Sequence, residues 1–230
     1  FKIYQERFND AGDFTFIFIG NFDVNKIKPL LETYLGGLPA KGQKETWKDP
    51  NILKREGLVV SRTQMGKTQK DLVGIHFHGQ SNWTEDENYI FNSMVKVLNI
   101  QLREAMREDK GGVYGVSVNG AFAQRPKNAY GITIQFNNEP KRVDELIKTV
   151  YDNIESLKTN LTSDEKIKKV QETQRRERET DLKENDFWLN AIQHYDEYGK
   201  DINTLFDYDK QIDGLTAQKI KDAFKKYFDI

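Results

Sequence analysis

A strand followed by a helix recurs in the pattern of apolar and polar positions along the chain. Apolar, β-rich runs occupy 14–19, 72–78 and 130–136. Each run leads into turn residues and then into apolar residues at helical spacing, three or four positions apart. The pattern therefore predicts three strand-helix units in sequence.

Residues suited to helix capping mark where the helices begin. Asp23 precedes the first predicted helix, where its side chain can accept from a free backbone N–H. Capping boxes start at Thr84 and at Thr162. In the first box we expect the backbone N–H of Glu87 to donate to Thr84 and the Glu87 carboxylate to reach back to the cap.

Further strands and a helical C-terminal part complete the predicted fold. The runs at 58–60 and 113–118 predict two more strands, and the second pairs with 130–136 through a turn near 124–128. After 161 the chain is predicted to be helical to its end. Mixed strands followed by long helices predict an α+β fold with two layers, in which long helices pack on one face of a mainly antiparallel sheet.

Charge and composition narrow the class of protein. The chain has 230 residues, a formal net charge of -1 and no cysteine; 31% of its residues are charged and its mean hydropathy is -0.76. Near-neutral charge disfavours a nucleic-acid partner, and zero cysteine excludes thiolate zinc sites and thiol nucleophiles. No run approaches the roughly 18 apolar residues of a membrane span. A folded domain with a highly charged surface is expected.

The histidines and a short glycine motif are weak candidates for chemistry. His76 and His78 point to the same face of a predicted strand and could share a metal, but a zinc site needs three or four ligands and His194 lies on a distant helix. We therefore expect no metal site in this chain. The Gly-Lys-Thr at 66–68 resembles the end of a phosphate-binding loop, but Ser61 stands where that loop requires glycine.

The densest group of charged residues and glycines lies at 102–116. A predicted helix carries Arg103 and Arg107 one turn apart, ends at two glycines at 111–112, and is followed by Tyr114 at the start of a strand. The glycines permit the close approach of another backbone, and paired arginines suit a negative or carbonyl-rich partner. An ordinary helix C-terminus, with cations near the negative end of the dipole, explains the same residues. Spacing alone leaves both interpretations open.

The stretch Arg-Glu-Asp-Lys-Gly-Gly-Val-Tyr at 107–114 resembles the second domain of insulinase- and pitrilysin-type zinc metallopeptidases. Those sequences carry an Arg-Glu, a short Gly-containing turn and a Tyr at the strand start. The turn at 20–23, the Leu-Pro at 38–39 and the strand-to-helix block at 137–157 resemble the same family in the same order. The resemblance implies a metallohydrolase-like half-domain.

The resemblance also implies a function without a metal. In that family an H-x-x-E-H helix and a downstream Glu hold the catalytic zinc, and this sequence has no such motif. The implied role is a substrate-positioning domain that has no cofactor of its own, with zinc in a missing catalytic domain. Arg107 and Tyr114, with Arg103 in reserve, are the implied substrate-binding residues, and no residue is assigned a catalytic or metal-binding role.

Partners and organisation are expectations from the same resemblance. The partners are a peptide substrate and the catalytic half of the same polypeptide or of a partner subunit. Residues 1–40 are expected to be the strand-and-helix tail of a preceding domain, 41–54 a linker, and 55–230 an insulinase-like C-terminal domain without its last strand, so that both chain ends are truncations. A catalytically dead structural or interaction module is the alternative function. A periplasmic or envelope location is favoured over the cytoplasm.

Overall fold

The computed structural model describes residues 1–42, 44–52, 54–64, 70–108 and 113–229. The chain forms two compact units. The first consists of Phe1–Lys48 and Arg176–Asp207, and the second consists of Asp49–Arg175 and Tyr208–Ile230. The second is called the sheet unit below, because it contains the strands. The division into 1–40, 41–54 and 55–230 stays a prediction.

Helices make up most of the regular structure in the described residues. The α-helices are α1 (Lys2–Phe8), α2 (Val24–Tyr34), α3 (Glu85–Arg103), α4 (Val143–Thr159), α5 (Asp164–Asp181), α6 (Asn185–Tyr198), α7 (Tyr208–Asp213) and α8 (Ala217–Tyr227). A π-helix (Glu104–Glu108) extends α3, and short 3₁₀ helices occur at Pro140–Arg142 and Ile202–Asp207. The strands are β1 (Asp71–Gln80), β2 (Val113–Ala123) and β3 (Ala129–Asn138).

The strands form one antiparallel sheet in the order β1-β3-β2. β1 pairs with β3 over its whole length, and β2 forms a hairpin with β3 through the turn at 124–128. The predicted hairpin and the predicted antiparallel sheet are therefore confirmed.

The core of the sheet unit lies on one face of this sheet. Alternate residues of the strands face α3, α4 and α8, because successive side chains of a strand point to opposite faces. The core residues with no exposed surface at all include Phe91, Leu98 and Leu102 from α3, Ile132 and Ile134 from β3, Leu146 and Val150 from α4, and Ile220 and Phe224 from α8. The predicted α+β fold, with helices packed on one face, is confirmed.

One of the two hydrogen bonds predicted for the first capping box is present. Thr84 Oγ1 accepts a hydrogen bond from the backbone N–H of Glu87 at 3.1 Å, as predicted. The Glu87 carboxylate accepts from the Tyr227 hydroxyl at 2.6 Å and from the Lys226 amine at 2.8 Å. It therefore joins the start of α3 to the end of α8, because a cation and a phenol are available to it there.

The predicted N-terminal cap is confirmed for α2 and wrong for α5. Asp23 accepts from the backbone N–H of Asn25 at 2.9 Å, which confirms the predicted cap. The box predicted from Thr162 is wrong by one position, since α5 begins at Asp164 and Ser163 Oγ accepts from the N–H of Lys166 at 3.4 Å. Thr162 is instead buried at 5% exposure.

Two predicted strands are absent, although every residue at 14–19 and 58–60 lies in the described part of the chain. Phe14, Phe16 and Phe18 are 38%, 44% and 43% exposed, and Leu58 is 85% exposed. A β-rich run becomes a strand only where a neighbouring strand takes up its backbone hydrogen bonds and something covers its side chains. Neither condition can be read from the run itself.

Candidate functional site

The candidate residues lie where α3 ends and β2 begins. Arg103 is the last residue of α3 and is exposed. Arg107 falls in the π-helix Glu104–Glu108, whose hydrogen bonds run from i to i+5. The sequence predicted a regular helical turn from Arg103 to Arg107, whereas Arg107 lies in this π-helix.

Tyr114 lies at an irregularity in the sheet. Val113 is opposite Asn138 of β3, and the next paired residue of β2 is Val116, opposite Phe136. Three steps along β2 thus match two steps along β3, which is a β-bulge, and such bulges often re-aim side chains beside active sites. The side chains of Arg107 and Tyr114, and all of 109–112, lie outside the described residues.

The π-helix is anchored on two sides. Met106 has no exposed surface and belongs to the hydrophobic core of the sheet unit. Glu104 forms a salt bridge of 2.7 Å with Lys166 of α5. The segment that carries Arg107 is therefore held by apolar packing and by a charge pair.

Asn138 is a polar residue at the same end of the sheet that the sequence reading missed. It is 3% exposed, and its Nδ2 donates to the backbone oxygen of Glu139 at 2.7 Å. Its Oδ1 is buried, and within the described part of the chain it has no hydrogen-bond donor. Buried polar atoms are rarely left in this state. An asparagine at a strand end carries no sequence signal for such a position.

The histidines do not come together. His76 and His78 lie on the exposed face of β1, and His76 Nδ1 is 3.0 Å from Thr133 Oγ1 of β3. His194 belongs to the other unit, where its Nε2 is 3.2 Å from the Lys200 amine. Across the described ranges, no group of three or more His, Cys, Asp or Glu residues is placed to hold a metal ion. Those residues therefore do not fit a zinc centre.

The face of the sheet opposite the helices has an unusual composition. None of its outward positions on the three strands is Lys, Arg, Asp or Glu, although charged residues make up 31% of the chain. These positions are Leu72, Gly74, His76, His78, Gln80, Gly115, Ser117, Asn119, Ala121, Ala123, Ala129, Gly131, Thr133, Gln135 and Asn137. A cation does reach this face from outside the sheet, since a Cβ on Gly131 would lie 3.8 Å from Lys54 Nζ.

In the ranges described, no helix is long and apolar enough to cross a membrane.

The model of one peptidase family matches most of this chain. The family described as "Peptidase M16 inactive domain" matches residues 2–174. The chain therefore belongs to the M16 peptidase family, through the domain that this description calls inactive. The resemblance to insulinase- and pitrilysin-type peptidases is confirmed.

Particular relatives are proteases of bacteria. "Probable zinc protease PqqL" of Haemophilus influenzae is 31% identical over 147 residues, which are 62% of this chain and 15% of the relative. The periplasmic protease PqqL from Escherichia coli has a similar fold, with a TM-score of 0.73 and 17% identity over 91% of this chain and 23% of that protein.

A protease from Helicobacter pylori also shares the fold, with a TM-score of 0.76 and 13% identity. The match covers 91% of this chain and 51% of that protein. The chain thus spans about half or less of these three relatives.

Proposed function

We propose that this chain is a substrate-positioning domain of a PqqL-like zinc peptidase. The observation that carries the proposal is the match of residues 2–174 to an inactive M16 domain. The position of Arg107 and Tyr114 supports it, since they lie at the end of a π-helix and at a bulge of β2. Both are irregularities that recur at functional sites.

The chemistry of the proposed residues suits a peptide. An Arg side chain offers several N–H donors in a fixed fork, and a Tyr hydroxyl offers one more. Peptide carbonyl oxygens are acceptors, and a donor aimed at the oxygen on which negative charge develops stabilises the transition state more than the ground state. Arg107 and Tyr114 would supply these donors, and Arg103, which is exposed, is the reserve candidate for the role of Arg107.

The metal belongs elsewhere in this proposal. The described residues do not fit a zinc site, so zinc would be held by a catalytic domain of the same polypeptide or of a partner subunit. The two domains would enclose the peptide between them. A periplasmic or envelope location is part of the proposal, in keeping with the periplasmic protease PqqL of similar fold.

Kinetics of the full-length parent test the proposed contacts. Tyr114→Phe removes one hydroxyl and leaves the ring, so we expect kcat/KM for a quenched peptide to fall by about tenfold to a thousandfold, with an unchanged melting temperature. Tyr34→Phe, at an exposed tyrosine of α2, is the matched control. The 230-residue chain alone with zinc should cleave nothing.

Three outcomes would contradict the proposal. Unchanged kinetics in Tyr114→Phe and in Arg107→Lys would remove the substrate contacts. Chelator-sensitive cleavage by the chain alone would show that it is itself an enzyme. A parent that lacks H-x-x-E-H throughout would favour the alternative, a structural or interaction module.

A further inference from the structure

The π-helix at 104–108 needs support from outside itself. The i to i+5 hydrogen bonds are rare in proteins and occur mostly as single turns, frequently at functional sites. A backbone held in a sparsely populated conformation persists only when its surroundings determine it. Met106 supplies support from the core. On the other side Arg103 is exposed and the Glu104 side chain is 37% exposed, so any support there comes from polar groups.

Lys166 provides that polar support from the first turn of α5. Its amine is 2.7 Å from Glu104 Oε2, at the first residue of the π-helix. The same amine donates to Gln101 Oε1, one α-helical turn earlier. Lys166 thus binds the last regular turn of α3 and the first π-helical residue at once, and fixes one against the other.

The contact extends to a third helix. Gln101 Nε2 donates to Asn153 Oδ1 of α4 at 2.8 Å, and Asn153 Nδ2 donates to the backbone oxygen of Thr149 at 2.8 Å. Each amide is oriented by its second hydrogen bond. The side chains of Lys166 and Glu104 are 22% and 37% exposed, so water screens their attraction less than it would a fully exposed pair.

We propose that Lys166 is a positioning residue for the site proposed above. By binding Gln101 and Glu104 it holds the transition from α-helix to π-helix, and so fixes the backbone from which Arg107 extends. This inference rests on the proposed function. Lys166 lies in a different helix and makes no part of the sequence motif, so that nothing in the spacing of residues indicates it.

Hydrogen exchange in the 230-residue chain tests the structural half of the inference. Lys166→Met keeps the aliphatic stem and removes the ammonium, and we expect amide exchange at 104–108 to rise by about tenfold, while the strands exchange as in the wild type. Lys166→Arg should restore slow exchange. Lys169→Met, at an exposed lysine of the same helix, is the matched control. Equal exchange in Lys166→Met and wild type would overturn the inference.

Kinetics of the full-length parent test the functional half. We expect Lys166→Met and Glu104→Gln each to lower kcat by about tenfold or more, with little change in KM, because misplaced donors weaken transition-state binding more than ground-state binding. Lys166→Arg should recover most of the loss. A purely structural role would lower the melting temperature and leave kcat per folded molecule unchanged, and would overturn the inference.

The two proposals fail in distinguishable ways. If Tyr114→Phe lowers kcat/KM and Lys166→Met does not, the positioning role is wrong and the proposed function stands. If neither variant changes the kinetics, the proposed function is wrong as well.

Discussion

Glu87 shows how one residue can join distant parts of the chain. Burial raises the pKa of its carboxyl, but hydrogen bonds from Lys226 and Tyr227 and the charge of Lys226 outweigh this, so that the pKa lies below its ordinary value. Burial and the hydrogen bond to Glu87 raise the pKa of the Tyr227 phenol. The phenol therefore remains a donor and the carboxylate an acceptor at neutral pH. The contact fastens α8 to the start of α3.

The stability of the sheet unit should depend on the ionisation of Glu87. Its pKa is lower in the folded state, so its contribution is complete above the unfolded pKa of about 4.3 and is lost as the pH falls through the folded value. Urea unfolding from neutral to acidic pH measures this. We expect Glu87→Gln to be less stable than wild type at neutral pH and the difference to shrink on acidification.

A second carboxylate provides the control for this measurement. Glu172→Gln makes the same chemical change at an exposed position of α5, and its stability should follow the wild-type curve at every pH. A constant difference between Glu87→Gln and wild type across the pH range would contradict the assignment to Glu87.

At the scale of elements, the packing of α3 on β2 depends on a residue without a side chain. A Cβ on Gly120 of β2 would lie 2.7 Å from Phe91 Cε1 and 2.7 Å from Val95 Cγ2, two core residues of α3. These distances are too short for carbon atoms in contact. The helix lies close to the sheet only because position 120 is glycine.

A pair of glycine substitutions in the same strand tests this packing. Gly120→Ala should lower the free energy of unfolding by about 1–3 kcal/mol, because a core that is already full must shift. Gly115→Ala meets no atom within 4 Å and should change stability by about 0.5 kcal/mol or less. Urea unfolding compares the two variants, and equal losses would show that α3 does not press on β2 at Gly120.

The sequence predicted those helices and strands that a local pattern of apolar and turn residues determines. α3, α4 and the β2–β3 hairpin carry apolar periodicity and turn residues within their own length, and they formed as predicted. The runs at 14–19 and 58–60 have the composition of strands but found no partner. The π-helix was not predicted, because a change of hydrogen-bond register by one residue alters no residue type. The sequence therefore predicted Arg107 as a candidate site residue, but it did not predict the backbone conformation at Arg107.

At the scale of the whole molecule, the fold class was predictable and the grouping of segments was not. An α+β architecture follows from the order of strands and helices. The first unit, however, joins Phe1–Lys48 to Arg176–Asp207. Composition and the positions of glycine and proline divide a chain into consecutive stretches. Two stretches separated by more than a hundred residues give no local sign in the sequence that they associate. Contacts such as that of Lys166 with Glu104 also leave no local sign in the sequence.

The outer position of β1 in the sheet has a consequence for the chain in solution. Along its outer side, in the sheet formed by the described strands, its backbone N–H and C=O groups have no neighbouring strand. Natural edge strands are usually guarded by lysine, proline or a bulge. β1, with the sequence DLVGIHFHGQ, has no lysine or proline and pairs with β3 without interruption, whereas β2 has its bulge.

We expect purified chains to associate through β1. The mean mass from light scattering should rise with protein concentration, and His78→Lys should suppress the rise, because a charge on an edge strand opposes further pairing. Asn119→Lys on β2 is the control and should suppress it less; equal effects would point to the sheet face instead of the strand edge. The exposed edge of β1 would then limit the concentration at which the isolated chain stays monomeric.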